Sequence, residues 1–170
     1  MNEPLFKNSF VRDEQAIKEA FKNYYFKSKA FKVIYWLYPI ALLLSLRSFI
    51  LDGSSSFSFW LVYGVVFAIL ISVIYKREVK TAIMRDKELG NGKEMLMDLT
   101  VYDDRVELLA LENKQTLYFA DAKAAFNGKD YINIITKAKY IYTFKKDSFS
   151  LGTSDEFVEF LKSKGLKIQK

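Results

Sequence analysis

Two apolar stretches, Phe31–Leu51 and Phe57–Tyr75, are separated by the short linker Asp52-Gly53-Ser54-Ser55-Ser56. The second, FSFWLVYGVVFAILISVIY, contains no charged residue. As a helix it would run about 28 Å, close to the ~30 Å hydrocarbon core of a bilayer. A soluble domain rarely places two such runs side by side. The pattern therefore predicts a helical hairpin that crosses a membrane twice over residues 31–75.

With those residues committed to the membrane, the 170-residue chain has room for one modest further domain, expected after residue 92. A cleaved signal peptide is not expected. The first thirty residues are charged and amphipathic, and the first apolar run is too long and lacks a small-residue cleavage pattern. There are no cysteines, which excludes disulfides, thiol nucleophiles and zinc–thiolate sites. There are no histidines either, so the commonest general base, imidazole metal ligation and a histidine pH switch are all missing. These absences point away from an enzyme, and no cofactor or metal is expected.

The net charge of +6 is unevenly placed. Residues 1–32 hold seven Lys/Arg against four acids and residues 76–92 hold five against three, whereas residues 93–170 are nearly balanced at thirteen against twelve. Lys27, Lys29 and Lys32 flank the first apolar run, Lys76, Arg77 and Lys80 flank the second, and the linker between them has no cation. The positive-inside bias then predicts a multi-pass protein of the cell inner membrane, with both termini cytoplasmic and the linker outside. It also explains the basic balance without nucleic acid as a partner.

Along the chain, Pro4–Phe10 reads as a short extended segment and Arg12–Ser28 as an amphipathic helix with Ile17, Ala20, Phe21, Tyr24 and Ser28 on one face. That helix can lie along the headgroups or pack on the cytoplasmic domain. Tyr35, Trp36 and Tyr38, with Trp60 and Tyr75, mark the interfacial ends of the spans. Pro39 is expected to kink the first span, because it removes a backbone donor and crowds a carbonyl. The second apolar run continues as KREVKTAIMRDKEL and ends at Gly90-Asn91-Gly92.

From Lys93 the pattern changes to short strands: Glu94–Tyr102, Arg105–Leu111, Gln115–Phe119, Asp121–Phe126, Tyr131–Thr136, Tyr140–Phe144 and Phe149–Leu151. Thr153-Ser154-Asp155-Glu156 is a capping-box pattern. It opens a helix with Phe157, Val158 and Leu161 inward and Gly165 as its stop. The expected divisions are an N-terminal strand and helix over 1–30, the hairpin over 31–75, a cytoplasmic helical extension over 76–92 and a β domain over 93–170.

The segment MDLTVYDDRVELLALENKQTLYFADAKAAFNGKDYINIITKAKYIYTFKKDSFSLGTSDEFVEFLKSKG, placed after two apolar runs, resembles the YcxB-like family of bacterial membrane proteins. Phe119-Ala120-Asp121 stands where a tryptophan is more usual in that pattern. The resemblance implies an α+β membrane protein: a two-helix transmembrane hairpin followed by a pleckstrin-homology-like β-barrel or sandwich capped by one helix. It implies no catalytic residues.

Several residues stand out as candidate sites. Gly64, Ala68 and Ser72 form a small-residue stripe on the second run, with Ala41 and Ser45 as a matching stripe on the first. Close helix approach through such stripes serves packing within the hairpin, a homo-oligomer, or a larger membrane partner. Arg47 lies near the linker, where it can snorkel to outer headgroups, pair with Asp52, or contact a membrane partner. Lys137, Lys139, Lys145 and Lys146, with Tyr140 and Tyr142 between them, make a candidate basic edge facing anionic lipid or an acidic partner. Specific phosphoinositide binding is not expected, because the loop that would serve it is Asp103-Asp104-Arg105.

The functional expectation is a non-catalytic interaction or regulatory module that holds the β domain at the inner face of a bacterial membrane, with the bilayer and a protein as partners. The alternatives are an immunity protein against a membrane-active toxin or bacteriocin, and an accessory subunit of a transport or secretion complex.

Overall fold

A computed structural model describes residues 3–26, 29–53, 56–91 and 94–169, leaving the side chains of residues 29–35, 52 and 56 aside. The flanking cations Lys27, Lys29 and Lys32, and with them Ser28, the Tyr35 ring, the Asp52 carboxylate and Gly92, lie outside the described set.

The chain begins with strand β1 (Phe6–Val11), then helices α1 (Glu14–Phe26), α2 (Lys29–Asp52) and α3 (Ser56–Leu89). Strands β2 (Leu96–Val101), β3 (Arg105–Ala110) and β4 (Asn113–Tyr118) follow, and a 3-10 turn over Phe119–Asp121 leads to β5 (Ala122–Asn127), β6 (Tyr131–Thr136), β7 (Ile141–Lys145) and β8 (Phe149–Leu151). Helix α4 (Ser154–Ser163) and the two-residue strand β9 (Ile168–Gln169) complete it. The strands form two sheets, ordered β4-β3-β2-β1-β8 and β7-β6-β5-β9.

The fold is thus α+β, with two sheets and four helices among the described residues. This corrects the expectation of a two-helix transmembrane hairpin ahead of a pleckstrin-homology-like domain. One described helix, Phe57–Leu89, is long and apolar enough to cross a membrane, with a mean hydropathy of 2.4 in its most apolar window. The described apolar part of α2 is Trp36–Leu51. Pro39 sits inside α2, which continues through it.

The first strand is an integral part of the β structure. β1 lies between β2 and β8, pairing Phe6 with Val101 and Val11 with Leu96 in one antiparallel register. Its burial alternates, with Phe6, Asn8 and Phe10 inward. The two phenylalanines join a core between the sheets that includes Leu99, Val101, Val106, Ile132, Ile134 and Phe144.

Helix α4 closes one opening of this core. Thr153 accepts the Glu156 amide at 3.3 Å while its own amide donates to the Glu156 carboxylate at 2.9 Å, so the capping box forms as its sequence predicts. The cap aims Phe157 inward, where its ring centroid lies 4.5 Å from that of Phe144 and 5.3 Å from that of Phe6. Gly165, at φ 77, ends the helix in the left-handed conformation that glycine adopts without strain.

A polar side chain joins the two sheets. Asn8 is 1 % exposed, donates from Nδ2 to the Lys145 carbonyl at 2.7 Å, and accepts the Lys145 amide on Oδ1 at 3.1 Å. An amide side chain has one acceptor and one donor group, so it pairs with a backbone as a neighbouring strand would. It thereby fastens β1 to the end of β7.

Asn8→Ala removes both bonds and leaves two backbone groups of Lys145 without these partners. It is expected to destabilise the protein by about 2–3 kcal/mol, read as a lower denaturant midpoint at unchanged slope.

Candidate functional site

Helix α3 passes from apolar to charged within one uninterrupted run. From Phe57 to Tyr75 the helix bears exposed Phe59, Val62, Val66, Ile69 and Val73. From Lys76 onward it packs on α1, with Val79 buried at the contact. Its end is set by Asn91, which takes the left-handed conformation at φ 47. Gly90 does not.

Helix α1 is held to the β structure from below. Asp13 accepts the Ala16 amide at 2.7 Å, and the same carboxylate oxygen accepts the Tyr131 hydroxyl at 3.3 Å. Burial and then the Asp13 charge push the Tyr131 phenol up to about 12, so it keeps its proton and remains a donor. Gln15 adds a bond from Nε2 to Asp130 at 3.1 Å. Because α1 covers the outer face of β6, all six residues of that strand are buried. Under it lies a polar pair: Thr143 donates to Asn133 Oδ1 at 2.8 Å, and Asn133 is fully buried.

The strut between α3 and the sheet is Arg12, at the end of β1. Its Nε lies 3.3 Å from Asp86 Oδ2, with side-chain exposures of 20 % and 10 %. The Arg12 amide also donates to the Met95 carbonyl at 2.9 Å, beside the start of β2. Burial raises the Asp86 carboxyl above its ordinary value while the Arg12 charge opposes it; burial likewise lowers Arg12 while Asp86 opposes that. Each charge partly offsets the burial penalty of the other.

Above this strut, α1 and α3 enclose a groove of about 450 Å³. Its floor is Val79, Ile83 and Met84, and its rim carries Lys18, Lys76, Lys80 and Lys87 around Glu14. Lys18 and Lys87 reach Glu14 at 3.2 and 3.8 Å. Tyr75 marks its upper end, donating to the Lys18 carbonyl at 3.2 Å, with the Tyr25 and Phe26 rings against it at 6.4 and 5.6 Å. The sequence pointed to Lys76 and Lys80 as flanking charge, but not to Lys18 or Lys87. Their convergence depends on α1 folding back along α3, which periodicity does not reveal.

The structure divides the two predicted small-residue stripes. Tyr38 of α2 lies across Gly64, its hydroxyl donating to the Trp60 carbonyl at 3.0 Å. A Cβ at position 64 would collide with that phenol. Ala41 is half-buried and Ser45 buried on α2, Ser45 donating to the Leu42 carbonyl at 2.8 Å. Ala68 and Ser72 are exposed, and the Ser72 hydroxyl returns to the Ala68 carbonyl at 2.8 Å. Thus Gly64 serves the contact between α2 and α3, while Ala68 and Ser72 line a separate shallow groove of about 310 Å³ with Ile69, Val73 and Lys76. Arg47 is exposed on α2.

The candidate basic edge does not form one patch. Lys137 and Lys139 sit in the β6–β7 turn, and Lys145 and Lys146 lie at the far end of β7, about 17 Å away along a five-residue strand. Lys137 donates to the Ala120 carbonyl at 2.8 Å and Lys145 pairs with Asp147 at 3.6 Å. The Asp103-Asp104-Arg105 loop is also internally engaged: Lys164 reaches Asp103 at 2.6 Å and Arg105 reaches Asp104 at 3.0 Å. Among the described residues no group of three or more His, Cys, Asp or Glu is placed to hold a metal. A groove of about 450 Å³ lies between β4 and the β6–β7 hairpin, lined by Gln115, Leu117, Lys137, Tyr140 and Tyr142 among others.

No family model matches this chain, and no curated protein matches it.

Gly64→Ala places a methyl group against the Tyr38 phenol, and the detergent-solubilised protein is expected to lose about 1–3 kcal/mol, measured as a fall in melting temperature. Arg12→Met leaves Asp86 buried without its counter-ion, at an expected cost of about 3–5 kcal/mol. Adding Asp86→Leu should recover most of it, since both charges are then gone. In the single variant the defect is greatest at neutral pH and shrinks as pH falls through the raised pKa of Asp86, where the carboxyl becomes neutral. Denaturant unfolding of both variants across that range reads the sign directly.

Proposed function

We propose that this protein is a non-catalytic interaction module held at the inner face of a bacterial membrane by the apolar half of α3. The observation that carries this reading is the continuity of α3. The same helix has exposed apolar side chains through Tyr75 and, about three turns further on, is fixed to the β structure by Asp86 and Arg12. Such a helix gives the β structure a fixed position relative to the bilayer, which a flexible tether would not.

The cations Lys76, Arg77 and Lys80 at the boundary favour a cytoplasmic location for the β structure. The resemblance to YcxB-like proteins belongs to this same reading. For the partner we favour a protein segment at the free edge of β4, the last strand of its sheet. Its outer backbone groups are available to an added strand, and the neighbouring groove presents Tyr140 and Tyr142.

Crosslinking and pull-down of the tagged full-length protein from native membranes test this. Replacing residues 36–75 by an unrelated membrane anchor should preserve partner capture, whereas Thr116→Lys with Tyr140→Lys should abolish it. Loss of capture on anchor replacement alone would overturn the reading. Protease added to intact spheroplasts should leave the β structure uncut.

A further inference from the structure

We propose that the groove between α1 and α3 is a binding site for one anionic phospholipid, with its phosphate held by Lys76 and Lys80 and an acyl chain lying over Ala68 and Ser72. The proposal rests on the reading that the apolar half of α3 lies in a bilayer.

The charges are arranged for it. The groove has four lysines on its rim and one acid, Glu14. Lys18 and Lys87 share that acid. Lys76 and Lys80, both exposed, have no ion pair among the described residues. They are four residues apart, hence neighbours on one helix face, and their ammonium groups can close on a single phosphate.

The depth is also appropriate. Tyr75 closes the upper end of the groove, supported by Tyr25 and Phe26, and such an aromatic group belongs at the interface between hydrocarbon and headgroups. Lys76 and Lys80 follow it by about 1.5 and 7.5 Å along the helix axis, the depth of the phosphate layer. Lys76 lines both grooves: the shallow one with Ala68 and Ser72 also includes it. A lysine shared by an apolar trough above and a basic cleft below matches an amphiphile with a charged head. Val79, Ile83 and Met84 give the cleft an apolar floor, which suits the glycerol end of a lipid better than a fully hydrated small anion. A lipid in this position would contact α1 and α3 together.

The test uses the full-length protein in nanodiscs of phosphatidylcholine mixed with phosphatidylglycerol, with retained lipid counted by native mass spectrometry after release. Phosphatidylglycerol is expected to be retained over phosphatidylcholine. Lys76→Gln with Lys80→Gln should lower its retention about 25-fold, each lysine near an anionic surface contributing about fivefold. Arg77→Gln removes an equal charge from outside the groove lining, about 100° around the helix from Lys76, and should lower retention far less than the double lysine change. Equal retention of both lipids, or an equal loss in the Arg77 variant, would overturn the proposal while leaving the membrane reading intact. Displacement of the lipid by soluble glycerophosphate would assign the site to a free phosphate and overturn it too. A protein that does not enter nanodiscs overturns the membrane reading and the proposal together.

Discussion

The chain leaves its main sheet at Val11 and returns to it at Leu96, and those two residues are register partners. Everything between them, including α1, α2 and α3, is one long insertion in a β-hairpin whose neck is a single antiparallel pair. The rest of the architecture depends on this constraint. Closing so long a loop is costly in entropy, and the register from Phe6↔Val101 to Val11↔Leu96 must offset that cost. The Arg12 amide bond to Met95 and the Arg12–Asp86 pair reinforce it where the helices meet the sheet.

Ion pairs this buried are poor sources of net stability, since desolvation offsets most of the attraction. Their value lies in geometry: an unpaired Asp86 or Arg12 is so unfavourable that the docked arrangement of α3 is strongly preferred to any slipped one. Helix α1 completes the linkage by binding β6 through Asp13 and Tyr131 on one side and α3 through Val79 and Tyr75 on the other. It is the amphipathic helix expected from the sequence. Of its two open roles, packing on the β structure is the one observed, and its remaining face forms the basic groove.

The strands after residue 94 were largely readable because alternation and turn residues are local signals. The β3–β4 turn shows the limit. The expected strands end at Leu111 and resume at Gln115, yet the observed pair closes over Ala110↔Asn113. Leu111 occupies the left-handed region at φ 55, which a bulky side chain seldom adopts. The position of β1 was hidden for a different reason. FKNSFV has a polar Asn8 at an inward position, so its alternation is weak, and the carbonyl and amide that satisfy Asn8 belong to Lys145, far along the chain. The small-residue spacing of Gly64, Ala68 and Ser72 likewise indicated one face, but Tyr38 of α2 lies against Gly64 while Ala68 and Ser72 are exposed. Apolar composition showed where helices form, but not that one described helix alone is long and apolar enough to cross a membrane.

The central place of β1 has a consequence for biosynthesis. A ribosome exposes β1 first, but its partner β2 emerges only after the whole helical insertion, and β8 later still. Until then Phe6 and Phe10 have no core to enter. The sheet is therefore completed only once the helices have been made, and where α3 enters a bilayer, closure of the β structure records that the insertion step is over.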